Sequence, residues 1–132
     1  MDILKTAEER GIEITTELRT IGWARNLGIE TITVCFDGGG DEGYIESVEY
    51  WPDRPEWKGT EEEIESFVSF MDDVAAMHLA YNYAGGGWFN NGGGTGSLNL
   101  NVKTGEMTTD VVFREETYNE YNLLTEAGIA EE

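Results

Sequence analysis

Three groups of side chains in this sequence have the types and spacing to bind or react. The first is Asp37-Gly-Gly-Gly-Asp41-Glu42-Gly43, where carboxylates on a glycine-loosened backbone can gather around a hard cation such as calcium. The spacing lacks the alternating acids and terminal bidentate Glu of an EF-hand loop, and the block does not recur. Two readings stay open: a solvated hairpin tip, or a divalent-cation site with Asp37 and Asp41 as ligands. The second group is the stretch from Gly85 to Gly96, in which Trp88, Phe89, Asn90 and Asn91 are bracketed by glycines. A phosphate cradle needs a helix amino terminus after the loop, but here a helix precedes it and a strand follows. That leaves either a long connection pinned by Trp88 or a binding surface led by Trp88 and Phe89.

The third group is the acids. Carboxylates four apart on a helix lie about 6 Å from one another, close to the spacing of neighbouring phosphates on a nucleic-acid strand. Rows of Glu and Asp can therefore offer a basic channel something like its natural ligand. The candidates are Glu46 and Glu49 beside the Asp41-Glu42 tip, then Glu61, Glu62, Glu65, Asp72 and Asp73 on a helix, then Glu115, Glu116 and Glu120 in the tail.

The inventory for catalysis is thin. The sequence has one histidine and one cysteine, and Ser47, Ser66, Ser69 and Ser97 lack the context of a nucleophile elbow. His78 falls on the apolar edge of a helix, where a satisfied boundary histidine is the ordinary occupant. Cys35 lies in a β-branched run that suits a buried structural thiol. Acid pairs such as Asp37 with Asp41 or Glu46 with Glu49 have no cleft suggested around them. The expectation is a protein without enzymatic activity or cofactor, with an unrecognised hydrolase as an alternative.

These residues need elements to hold them. Apolar positions Leu4, Ala7, Gly11, Ile14, Leu18 and Ile21 recur at helical spacing from Asp2 to about Asn26, with a break suggested near Gly11 by the glycine and by β-branched Ile12, Ile14, Thr15 and Thr16. Ile29 to Phe36 and Tyr44 to Trp51 predict a hairpin, and the three-residue step from Ile45 to Val48 predicts a bulge in its second strand. Thr60 and Glu63 have capping-box spacing, and Ile64, Phe67, Val68, Met71, Val74, Ala75 and His78 follow as one helical stripe. Leu98, Leu100 and Val102, a turn at Lys103 to Glu106, and Met107, Thr109, Val111 and Phe113 predict a second hairpin. Tyr118, Tyr121 and Leu124 suggest a short closing helix.

The expected fold is α+β, in the order α-β-β-α-β-β with a C-terminal α optional: a four-stranded antiparallel sheet from two hairpins with helices on one face. It forms one domain over 1–132, with a helical segment 1–28, a ββαββ core 29–114 and an acidic tail 115–132.

Charge sharpens the choice of partner. The 132 residues hold 27 acids against 8 bases, a formal net charge of −19. Residues 1–28 carry five acids and four bases, so nearly all of the excess lies beyond them. Too few Lys and Arg are present for direct nucleic-acid binding, and an acidic surface is repelled by anionic lipid. No charge-free apolar stretch of membrane-spanning or signal-peptide type occurs, so a cytoplasmic location is expected.

The runs ITVCFDGGGDEGYIESVEYW and GGGWFNNGGGTGSLNLNVKTGEMTTDVVFRE resemble a family of small bacterial, plasmid and phage proteins of unknown function. Gly43, Ile45 and Glu46 match its G-x-I-E block, and Gly87, Trp88, Asn90, Asn91, Gly93 and Gly96 match G-W-x-N-N-x-G-x-x-G. Extra glycines and Phe89 depart from the pattern. The resemblance implies no activity but does imply a phage or mobile-element setting, where small acidic proteins inhibit host nucleases. The combined expectation is an acidic interaction protein that binds a basic nucleic-acid-handling partner, such as a host nuclease, a restriction enzyme or a CRISPR effector. Its contacts are expected from Asp41, Glu42, Glu46, Glu49, Glu61, Glu62, Glu65, Asp72, Asp73, Trp88 and Phe89, and a homodimer through the near-neutral N-terminal helix is a further expectation. A divalent-cation or small-ligand module on the glycine-rich loops is the competing reading.

Overall fold

The structure, a computed structural model, describes residues 3–39, 42–83, 94–112 and 116–128. Two short helices open the chain, α1 (Ile3–Glu9) and α2 (Thr16–Leu27). The helical pattern breaks where propensity falls. Gly11 takes a left-handed φ of 69°, and the Thr15 side chain then accepts from the Leu18 N–H at 3.3 Å to start α2 afresh. The apolar side of these helices (Ile3, Ala7, Leu18, Ile21, Ala24, Leu27) is buried in the chain's own core.

Strands β1 (Thr31–Gly39) and β2 (Glu42–Trp51) form the first hairpin. Its register is regular from Thr31↔Trp51 to Cys35↔Ser47 and then shifts to Phe36↔Ile45, which leaves Glu46 as the extra residue of the expected bulge. A cis Trp51–Pro52 bond and a 3₁₀ turn (Arg54–Glu56) lead to α3 (Glu61–Phe70). The capping box is present: Thr60 Oγ1 accepts from Glu63 N–H at 3.1 Å, and Glu63 Oε1 accepts from Thr60 N–H at 3.3 Å.

The helix is not one uninterrupted α-helix. A π-helical turn at Met71–Ala75 separates α3 from α4 (Ala76–Tyr83). The added residue shifts the phase of the stripe, so Ile64, Phe67, Met71, Ala75, Ala76, Leu79 and Ala80 are buried while Val74, expected inside, is 47% exposed.

The sheet has five strands rather than four, all antiparallel, in the order β2-β1-β3-β4-β5. Strands β3 (Gly94–Asn101) and β4 (Glu106–Val112) are the second hairpin, joined to the first through β1 and β3. The fifth strand, β5 (Glu116–Asn122), comes from the segment expected to be an acidic tail or a short helix. Its Thr, Tyr and Asn residues suit extended backbone, and pairing with β4 outweighs the weak three-residue spacing of Tyr118, Tyr121 and Leu124. The helix there, α5 (Leu123–Glu126), is four residues long, with the Asn122 side chain accepting from the Leu124 and Thr125 N–H groups.

Strand alternation puts Ile32, Val34, Phe36, Leu98, Leu100, Met107 and Val111 on one buried face beneath the helices. Cys35 belongs to the other face, in register with Ser47 and Ser97, and is half-buried rather than in the core. Gly96 is required by packing: a Cβ there would stand 2.3 Å from the Asp110 carbonyl oxygen, a contact no side chain can make. Among the described residues no helix is long and apolar enough to cross a membrane.

Candidate interaction surface

Strand β2 borders the sheet, and α3 runs beside it over the core-facing side. The proximity follows from the burial pattern: Phe67 of α3 lies against the rings of Tyr50 on β2 and Trp57 in the connector, with centroids 6.0 and 6.4 Å apart. Tyr50 and Trp57 meet edge to face at 5.0 Å, and the Trp57 indole N–H donates to the Pro52 carbonyl at 2.8 Å. These contacts fix one wall and the floor of a shallow groove along the β2 border. Val48 and Val68 complete its apolar lining, while Glu49, Asp53 and Arg54 form its polar rim.

The acids expected to act together are partly gathered here. Glu49 is on the rim, and Arg54 Nη2 bonds Glu61 Oε1 at 3.1 Å and also Glu65 Oε1, so β2, the connector and the first turns of α3 share one negatively charged flank. Asp72, on the π turn, is near enough that its charge adds to burial in pushing the Tyr50 hydroxyl well above the ordinary tyrosine range. That hydroxyl is buried and has no hydrogen-bond partner among the described residues. Glu46 is exposed at the bulge, and Glu62 and Asp73 are exposed on the helical segment.

Other expected residues fall elsewhere. Glu120 is exposed on β5 and Glu116 begins that strand, so both belong to the opposite border of the sheet. Glu42 is placed by its backbone opposite Gly39. Asp41, Trp88, Phe89 and Glu115 lie outside the described residues, and so do half of the Asp37–Asp41 pair and the glycine-rich stretch up to residue 93; the last residues of that stretch, Gly94, Thr95 and Gly96, begin β3. Asp37 is engaged locally: its carboxylate accepts from the Gly38 N–H at 2.8 Å and from the Tyr44 hydroxyl at 3.3 Å. Among the described residues no three His, Cys, Asp or Glu side chains gather in a metal-holding arrangement.

The connector held more than its sequence showed. Residues 52–59 lie between the predicted hairpin and the predicted helix cap, yet Asp53, Arg54 and Trp57 shape the groove. The available signal was a tryptophan and an arginine between two prolines and a helix cap, the kind of aromatic and cationic anchors that mark surfaces.

A second polar cluster joins α2 to α4. Glu17 Oε1 lies 3.0 Å from His78 Nε2, and Glu17 Oε2 accepts from the Tyr83 hydroxyl at 2.5 Å. Asn82 Nδ2 donates to the His78 carbonyl at 2.7 Å and sits 3.4 Å from His78 Nδ1. Burial disfavours the Glu17 anion, but the hydrogen bonds from Tyr83 and the backbone, together with His78, outweigh it and hold the carboxyl below its ordinary range. Burial first, and then Glu17, push the Tyr83 hydroxyl up. An acid and a histidine at this distance are two parts of a nucleophilic triad, but the second ring nitrogen faces an amide, not a hydroxyl or thiol. The cluster ties two helices together. Sequence separations of 61 and 66 residues hid it.

Three of the described bases act at the end of α2. Arg25 donates to the Val102 carbonyl at 2.9 Å and to that of Lys103, Lys103 pairs with Glu30 at 2.9 Å, and the Lys58 stem packs against Gly28.

Comparison with family models, with curated proteins and with solved structures finds no match.

Proposed function

We propose that this protein is a binding protein whose β2–α3 flank takes a basic surface of a partner that handles nucleic acid, and that by occupying that surface it acts as an inhibitor. One observation carries the reading: Glu49 and Asp53 line the groove, Glu61 and Glu65 hold its basic lining residue Arg54, and the charge of Asp72 reaches Tyr50 in its wall. Such a flank attracts cations at long range, and the aromatic floor supplies the short-range contact that charge lacks. Arg54 also demonstrates the chemistry within the chain, since a guanidinium already rests on those carboxylates.

The test is competition. Titrated into a complex of DNA with a basic nuclease domain of pI above about 9, the protein displaces the DNA, and the effect falls steeply between ~50 and ~200 mM salt. A variant with Glu49, Glu61 and Glu65 changed to Lys loses the displacement while keeping its fold. Absence of displacement at low salt, or displacement unchanged in the variant, overturns the reading.

A further inference from the structure

Strand β2 has β1 on one side and, among the described residues, no strand on the other. Border strands that are meant to stay unpaired are commonly short, interrupted or capped by a covering element. Here the bulge at Glu46 interrupts one end, but Ser47 to Trp51 remain in unbroken register with Cys35 to Thr31, a straight run of five residues. The border is guarded by like charge instead: with Glu46 and Glu49 on it, two copies of this chain repel one another along β2, whereas a basic strand is drawn in.

Resting on the function proposed above, we infer that the partner contact is made by strand addition: an extended basic segment pairs with β2 over Ser47–Trp51, and its alternate side chains reach both sides of the sheet. On the helix side they enter the groove between Val48 and Tyr50 of β2 and Val68 and Trp57 opposite. Asp53 stands at its rim. On the helix-free side they lie over Glu49 and over Trp51, which is 59% exposed. Each side thus pairs a carboxylate with an aromatic ring, the combination that suits the apolar stem and charged head of Arg or Lys. Backbone pairing supplies affinity and these two sites supply preference, as in other modes of strand addition. The ring contacts among Tyr50, Trp57 and Phe67 form the groove in the chain by itself, so little ordering is required of this protein.

The probe is a capped octapeptide of alternating Arg and Val, compared with its diastereomer carrying D-Val, which has the same charge and donors but cannot lie along an L-strand with side chains on alternate faces. Strand addition predicts that the all-L peptide binds at least ~10-fold more tightly. It also predicts that amide hydrogen exchange slows at least ~10-fold within Ser47–Trp51, and that Glu49→Lys removes most of the affinity. Equal binding of the two peptides, or protection centred on β5 or on the helix-free face remote from β2, overturns strand addition while leaving an acidic binding protein. Failure of both peptides to bind at ~50 mM salt overturns the proposed function as well.

Discussion

Glu17 and Glu65 are both helical glutamates held by hydrogen bonds, and the protein uses them differently. Glu17 is mostly buried between α2 and α4, where two side chains from one helix satisfy it, and its lowered pKa records that the folded state stabilises its charge. Glu65 is 60% exposed, and its partner Arg54 is 41% exposed. An ion pair in that setting is screened by water and salt and contributes little to folding. The contrast separates charge that the fold needs from charge that is left over for a partner. It also explains how a chain of net charge −19 stays folded: the described bases Arg25, Lys58 and Lys103 secure the end of α2, and much of the acidity is carried on exposed side chains that the core does not need.

The largest effect expected from breaking this arrangement is at Phe67, whose ring touches Trp23 on α2 as well as Tyr50 and Trp57 beneath the groove. Phe67→Ala is expected to cost about 3–5 kcal/mol in denaturant unfolding, and to weaken the groove and the helix layer together. Next is Glu17→Ala, which leaves the Tyr83 hydroxyl and His78 without their acceptor and costs about 1–3 kcal/mol at neutral pH. Because the folded Glu17 pKa is depressed, its contribution is present above the ordinary value of 4.5 and is lost as pH falls through the folded value. Stability of Glu17→Gln should therefore depend less on pH below about 4.5 than that of the parent chain, as measured by thermal unfolding across acid pH. Thr60→Ala removes the cap of α3 and is expected to cost about 1 kcal/mol. The smallest effect on folding belongs to the double change Glu61→Gln with Glu65→Gln, which should move Tm by less than about 2 °C while weakening binding to a basic partner.

The same division decides what could be read from the sequence. The capping box, the first hairpin, its bulge and the break near Gly11 were legible because each depends on neighbours within a few residues. The fifth strand was not, because β5 is selected by its pairing with β4 and not by its own weak pattern. The π turn was hidden for a related reason: Met71 to Ala75 fits an ordinary helical stripe, and the phase shift appears once Phe67 and Leu79 must both reach the core. Of the acids, Glu49, Glu61, Glu65 and Asp72 could be nominated from the sequence, but the contacts of Glu61 and Glu65 with Arg54 and the reach of Asp72 to Tyr50 depend on how the connector and the helix fold back over β2. The Glu17 cluster left no local trace, since its members are joined by helix packing.

The most direct test of the central claim is to neutralise the flank and measure fold and binding in the same preparation. The combined change of Glu49, Glu61 and Glu65 to Gln with Asp72 to Asn should leave the thermal transition within a few degrees of the parent, about what exposed charges allow, and should lower affinity for a basic nuclease domain at least ~10-fold. Neutralising Glu116 and Glu120 on the opposite border should leave that affinity largely intact when set against the flank pair Glu61 and Glu65 neutralised alone. Equal losses from the two borders, or full affinity in the flank variant, would contradict the assignment of the flank as the binding surface.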